Sequence, residues 1–256
     1  MKKALLLLII GLWTALSYGQ DLKPCGTSVL TKRYAKTHNS RTRQRVQSES
    51  SPVNSFIGEK RGLIILVSFP DLNFTSESPK EAWSAIANQE GYAENGAQGS
   101  VSDYFKDQSY GQFKLTFDVV GPVVAANKHA YYGENIDWGP TSGWFDKNVG
   151  ELVEEACKGV AEEVQFKDYD WDGDGGVEEV YLVYAGHGEN DYWHKDSTVI
   201  WPHMGTLSVD WPGYEQGITL QGVRIDNYAC SNEISREGSL AGMGTICHEF
   251  SQNRPQ

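Results

Sequence analysis

Gly62-Leu-Ile-Ile-Leu-Val-Ser-Phe69 is a continuous apolar run rich in β-branched residues, closed by Pro70 and Asp71. A run that is apolar at every position predicts a strand buried on both faces. Ser78-Pro79-Lys80-Glu81 reads as a helix start, with Ser78 as N-cap and Glu81 as its capping-box partner. Trp83 and Ile86 are the expected buried residues of that helix. Residues 100–106 predict a short helix with Val101, Tyr104 and Phe105 on one side, followed by a turn at Tyr110-Gly111. Phe113, Leu115, Phe117 and Val119 alternate with polar residues, the pattern of a strand with one buried face, and Gly121-Pro122 is read as its end. Residues 131–146, rich in Gly, Tyr and Trp, read as an ordered surface loop. Val149, Leu152, Val153, Ala156, Val160 and Val164 recur at helical spacing, with Cys157 on or near the buried side. Further strands are expected at 180–185 and 199–201. Leu240, Met243, Ile246, Cys247 and Phe250 are spaced as in a buried helix. Strands alternating with helices imply an α+β domain in which helices pack on a mixed sheet.

The N-terminal part has a different character. Lys2 and Lys3, the apolar residues 4–13 and the small Ser17 and Gly19 read as a signal peptide over 1–19, too short to span a bilayer. Residues 20–61 read as a pro-segment or flexible linker, with Lys60-Arg61 as either a processing point or an exposed pair. Residues 62–256 form the folded domain. Residues 1–61 hold 11 Lys and Arg against 3 Asp and Glu, and the rest holds 11 against 31, for a net charge of −12. An acidic body excludes a nucleic-acid partner, because phosphate backbones need a basic surface. The expected product is a secreted monomer, with no membrane association after signal cleavage.

Two stretches carry chemistry. Asp170-Trp-Asp172-Gly-Asp174-Gly-Gly176-Val-Glu178 aligns with a calcium loop. Asp170, Asp172 and Asp174 fall at positions one, three and five, the Gly176 carbonyl at seven and Glu178 at nine. Calcium takes six to eight hard oxygen ligands, and alternate carboxylates in a tight turn supply them. Position twelve is Tyr181 instead of a bidentate Glu, which predicts a lone structural calcium loop; an acidic surface turn is the plainer reading. The second stretch is His248-Glu-Phe-Ser-Gln252. In H-E-x-x-H two histidines four apart share a helix face and hold zinc, and the glutamate activates the bound water. Here the fifth position is Gln252.

From about Arg61 to Ser251 the chain resembles the immune inhibitor A family of secreted bacterial zinc metallopeptidases. The resemblance rests on an ordered set of pieces. They include residues 63–69, Val101-Ser-Asp-Tyr-Phe105, Ser109-Tyr-Gly-Gln-Phe113, Val120-Gly-Pro122, Asp170 to Val177, Tyr184-Ala-Gly186, Ile200-Trp-Pro-His203, Asn232-Glu233 and Gly244-Thr-Ile-Cys-His-Glu-Phe250. It implies a zincin-like metallopeptidase domain, a twisted mixed sheet with an active-site helix beneath it. It makes His248 the first zinc ligand and Glu249 the general base, with protein or peptide substrates. The second ligand falls at Gln252, which departs from the pattern. A third ligand and the glycine turn would lie beyond Gln256, so the C-terminal part of the domain is read as missing and this copy as inactive. His187, His194 and His203 are alternative imidazoles, with His203 part of a structural Trp-Pro-His element. The rival reading is a non-catalytic secreted calcium-binding protein. Cys230 and Cys247 are the expected disulfide pair, and Cys25 is a candidate zinc-capping thiolate of a latent form.

Overall fold

The computed structural model describes residues 56–137, 144–190 and 196–252. The stretch read as a signal peptide, most of that read as a linker, Cys25 and His194 lie outside the described residues, as do residues 138–143 of the stretch read as a surface loop. The elements are β1 (Gly58–Ser68), α1 (Pro79–Asn88), α2 (Val101–Gln108), β2 (Phe113–Val124), α3 (His129–Gly133), β3 (Asn135–Asp137), β4 (Trp144–Asp146) and α4 (Val149–Val160). After them come β5 (Gly176–Val177), β6 (Val180–His187), β7 (His203–Thr206), α5 (Leu207–Asp210), β8 (Ile218–Leu220), β9 (Val223–Ile225), β10 (Asn227–Ile234) and α6 (Met243–Phe250). The main sheet has the order β2-β1-β6-β10-β7. Its first four strands are parallel, and β7 joins β10 antiparallel at the edge. The protein is therefore α+β with a mixed sheet.

Parallel strands require cover on both faces. Leu63, Ile65 and Val67 of β1 point into one layer, formed by the apolar stripe of α4 with Leu152, Val153, Ala156 and Val160. Ile64 and Leu66 point into the other, formed by Trp83 and Ile86 of α1, Val101 and Phe105 of α2, and Ile246, Cys247 and Phe250 of α6. Residues 62–69 are thus apolar throughout because both sides of the strand are core.

The strand begins at Gly58, so residues 58–61 belong to the sheet and not to a linker. Lys60 Nζ donates to Trp171 O at 2.8 Å, and Arg61 pairs with Asp118 and Asp168 at 2.7 Å each.

β2 does not end at Gly121-Pro122 but continues to Val124 through a cis peptide bond there. Gly121 has φ +91°, and a Cβ on it would lie 2.7 Å from Leu66 O, so the close approach needs glycine. The outer edge of β2 is occupied by a side chain: Asn88 Nδ2 donates to Phe117 O at 2.9 Å, and its Oδ1 accepts from Phe117 N at 2.8 Å. An amide placed this way takes the positions that a sixth strand would use.

Other expectations are corrected. Ser78 caps α1 without a side-chain hydrogen bond. The capping box forms instead at α2, between Ser100 and Asp103. Residues 199–201 are not a strand; the edge strand begins at His203. Around the described part of 131–146 lie α3, β3 and β4, and Tyr132 is fully buried. Cys157, Cys230 and Cys247 are all free. Cys230 points into the α4 layer and Cys247 into the α6 layer, so the sheet separates the expected disulfide partners.

Candidate functional site

The acidic loop joins a 3-10 turn (Phe166–Tyr169) to β5. Gly173 and Gly175 take φ values of +78° and +89°, which bend the chain tightly enough to turn alternate carboxylates inward. Ligand atoms of Asp170, Asp172 and Asp174 lie within 4.8 Å of one another. Loop amides hold them: Gly173 N and Gly175 N donate to Asp170 at 2.8 and 3.0 Å, Asp174 N to Asp172 at 3.1 Å, and Gly176 N to Asp174 at 2.8 Å. Gly176 itself enters β5 and pairs with Arg224 of β9, which anchors the loop's exit.

Glu178 stands outside that trio. Its carboxylate accepts from Trp171 N at 2.8 and 2.7 Å. Burial, reinforced by the charges of Asp172 and Asp170 and partly offset by the Trp171 hydrogen bonds, pushes its pKa up to about 7. The all-oxygen donor set, three clustered carboxylates and a fourth close behind them, fits a hard cation such as calcium.

α6 carries His248 and Glu249. Gly242 precedes the helix as its N-cap, and Ile246, Cys247 and Phe250 hold it to the sheet. The side chain of His248 is 59% exposed and that of Glu249 is 5%, with His248 Nε2 3.9 Å from Glu249 Oε1. Both line a cavity of about 270 Å³ with Gly244, Thr245, Asn190, Trp201 and Pro202.

Gln252 does not join His248. Its Nε2 donates to Glu249 Oε2 at 3.1 Å. Among the described residues the only group of three metal-capable side chains is the Asp170 trio. A catalytic zinc needs three protein ligands and an open position. The residues present do not fit it, because a lone imidazole beside an amide-bonded glutamate is not such a set.

His203 cannot swing in as a substitute. It is buried, its Nδ1 lies 2.6 Å from Trp201 O, and its Nε2 is 2.8 Å from the Tyr228 hydroxyl. Trp211 Nε1 donates to that same hydroxyl at 2.8 Å. Consistent chemistry makes Nδ1 the donor to Trp201 O and Nε2 the acceptor from Tyr228, a neutral ring. Burial accordingly lowers its pKa to about 4. Asp146 Oδ2 accepts from Trp201 N at 2.9 Å, and the Tyr184 hydroxyl donates to Ile200 O at 2.6 Å. The cavity wall at 200–202 is therefore irregular backbone whose polar groups are satisfied by buried side chains, which is why an apolar triple there is not a strand.

Of the residues singled out from the sequence, the structure brings Asp170, Asp172 and Asp174 together and places Glu178 behind them. It sets His248 beside Glu249, with no group of three metal-capable side chains around them among the described residues. Asn190, Trp201 and Pro202 as cavity walls are not singled out for the site by the sequence; the Trp-Pro-His element signals the last two, and nothing signals Asn190. No protein-family model matches the chain, and no curated protein matches it either.

Proposed function

We propose that this chain is a secreted, peptidase-like domain of the immune inhibitor A type, stabilised by calcium, whose zinc site is incomplete and which does not hydrolyse peptide bonds. The observation that carries the reading is Gln252. It stands four residues after His248, where the motif has its second imidazole, and its amide is engaged with Glu249. Glutamine is a poor zinc ligand, and here its nitrogen is committed to the would-be general base. The zincin-like arrangement implied by the sequence resemblance is supported by the mixed sheet, by the antiparallel edge strand β7, and by α6 packed against the β10 side of that sheet. Asp170, Asp172 and Asp174, with Glu178 and the Gly176 carbonyl, are the proposed calcium ligands. The cavity beside His248 is the proposed contact for protein or peptide substrates in active relatives.

The test pairs a melting experiment with an activity assay. Calcium at 100 times its Kd would stabilise a site by about 2.7 kcal/mol, or roughly 5–10 °C in a domain of this size. A chelator should remove that stabilisation, and Asp172→Ala should abolish the loop's share of the difference. Casein should remain intact with added zinc. Hydrolysis that requires zinc and is lost in Glu249→Ala would overturn the non-catalytic reading.

A further inference from the structure

On the α6 side of the sheet, four buried oxygen atoms have no hydrogen-bonding partner among the described residues. They are both carboxylate oxygens of Glu179, the Tyr181 hydroxyl and the Ser231 hydroxyl. These residues are 3%, 0% and 1% exposed. Their placement follows from strand geometry. Glu179 immediately precedes β6 and Tyr181 is its second residue, and both feel the charge of Glu249 on α6. Tyr181 pairs with Ala229 of β10, and Ser231, two further along, shares the face of Ala229. The small Ala229 lets α6 come close, and the buried carboxylate of Glu249 belongs to that helix. Burial first, then the charge of Glu249, holds the Glu179 carboxyl well above its usual range. Burial likewise raises the Tyr181 phenol, the neighbouring Ser231 hydroxyl opposing it and the charges of Cys230, Glu249 and Glu179 adding to it.

An unpartnered buried hydroxyl costs on the order of 1–3 kcal/mol, and an unpaired carboxylate costs more. Glu179 forms no ion pair with a lysine or arginine among the described residues. The two unsatisfied oxygens of Glu179, beside a second carboxylate and the adjoining Tyr181 and Ser231 hydroxyls, call for a positive centre. All the donors are oxygen, which selects a hard cation and disfavours zinc. Magnesium dehydrates reluctantly, which leaves calcium as the better match for so enclosed a place.

We propose that Glu179, Glu249, Tyr181 and Ser231 form a second, buried calcium site beneath α6. It is separate from the Asp170 loop, because adjacent residues of an extended chain point to opposite sides and Glu178 is turned toward Trp171. In this site Glu249 is a structural ligand. The inference does not depend on the loop's binding calcium or on the peptidase resemblance.

Calorimetric titration of the chelator-stripped full chain with CaCl2 reads the number of sites. Wild type should bind two ions, Glu179→Gln one and Asp172→Ala one. Ser231→Ala, which removes a neutral ligand, should bind two, with the second weakened about tenfold. A wild type that binds one ion, lost in Glu179→Gln and kept in Asp172→Ala, would support the buried site and remove the loop. A Glu179→Gln variant that binds as many ions as wild type, with the affinities of Ser231→Ala unchanged, would overturn the proposal; a higher chelated melting temperature for Glu179→Gln would then mark a carboxyl pair held by a shared proton. A single ion lost in Asp172→Ala would overturn it too.

Discussion

Calcium binding to the acidic loop should depend on pH through Glu178. With a pKa of about 7 when no ion is bound, this carboxyl is mostly protonated at pH 6 and mostly ionised at pH 8. If only the ionised form contributes to the site, its ionised fraction rises from roughly 0.1 to roughly 0.9 across that range. The apparent Kd for calcium should then fall about tenfold, or about 1.4 kcal/mol, with close to one proton released per ion bound near pH 6. Titration of Glu179→Gln with CaCl2 at pH 6, 7 and 8 isolates the loop. Repeating it with Glu178→Gln added should flatten the profile, because the amide carries no titrating proton. Without calcium the linkage runs the other way. A carboxyl whose folded pKa lies above its unfolded value favours the fold at low pH, and that contribution is lost as pH rises from about 4.5 to about 7. Full conversion of the shift would give about 3 kcal/mol; partial exposure of the group reduces this to on the order of 1 kcal/mol. A wild-type-like pH slope that survives Glu178→Gln, or a Kd that moves less than threefold between pH 6 and 8, would refute the reasoning.

Asn88→Ala should destabilise the protein by about 2 kcal/mol, because it strands the N–H and C=O of Phe117 on the sheet edge. Urea denaturation checks this, and an unchanged midpoint would mean that water replaces the amide at no cost. His203 should make the fold acid-sensitive. Its folded pKa of about 4 lies below the ordinary 6.5, so the unfolded chain takes up the proton first and stability drains as pH falls from about 6.5 to about 4. The loss should be about 2–3 kcal/mol between pH 7 and 4.5. His203→Asn, which can still donate to Trp201 O, should show a smaller pH slope in the same denaturation series.

Elements whose burial follows a simple period are legible in the sequence. β1 is apolar at every position because it has core on both sides, and α4 repeats its apolar residues every three or four positions because only one stripe is covered. β10 is not legible. It reads Asn-Tyr-Ala-Cys-Ser-Asn-Glu-Ile, with polar residues buried in the sheet centre. One of them, Glu233, is satisfied by distant partners: it accepts from Thr75 at 2.7 Å and from Gly186 N at 3.1 Å. Such pairings span 47 to 158 positions and leave no local pattern. The same holds for the 200–202 wall, whose backbone partners come from β4, β6 and β7. The acidic loop was readable because its ligands lie within nine residues. The grouping of Glu179 with Glu249 was not, because it exists only once α6 packs on β10 beside β6.

The strand order carries a consequence for how the chain is made. β10 is the last strand to be synthesised, yet it sits between β6 and β7. Until residue 234 has emerged from the ribosome, β6 presents one open edge, and β7 has no sheet to join. Contacts so distant in sequence close slowly. The nascent chain therefore passes through a three-strand fragment with an unpaired edge of β6 exposed, a species on which a chaperone or a protease would act. A nonsense product ending before Asn227 would be frozen in that state. One ending just after Ile234 would have its whole sheet and lack only the cover of α6.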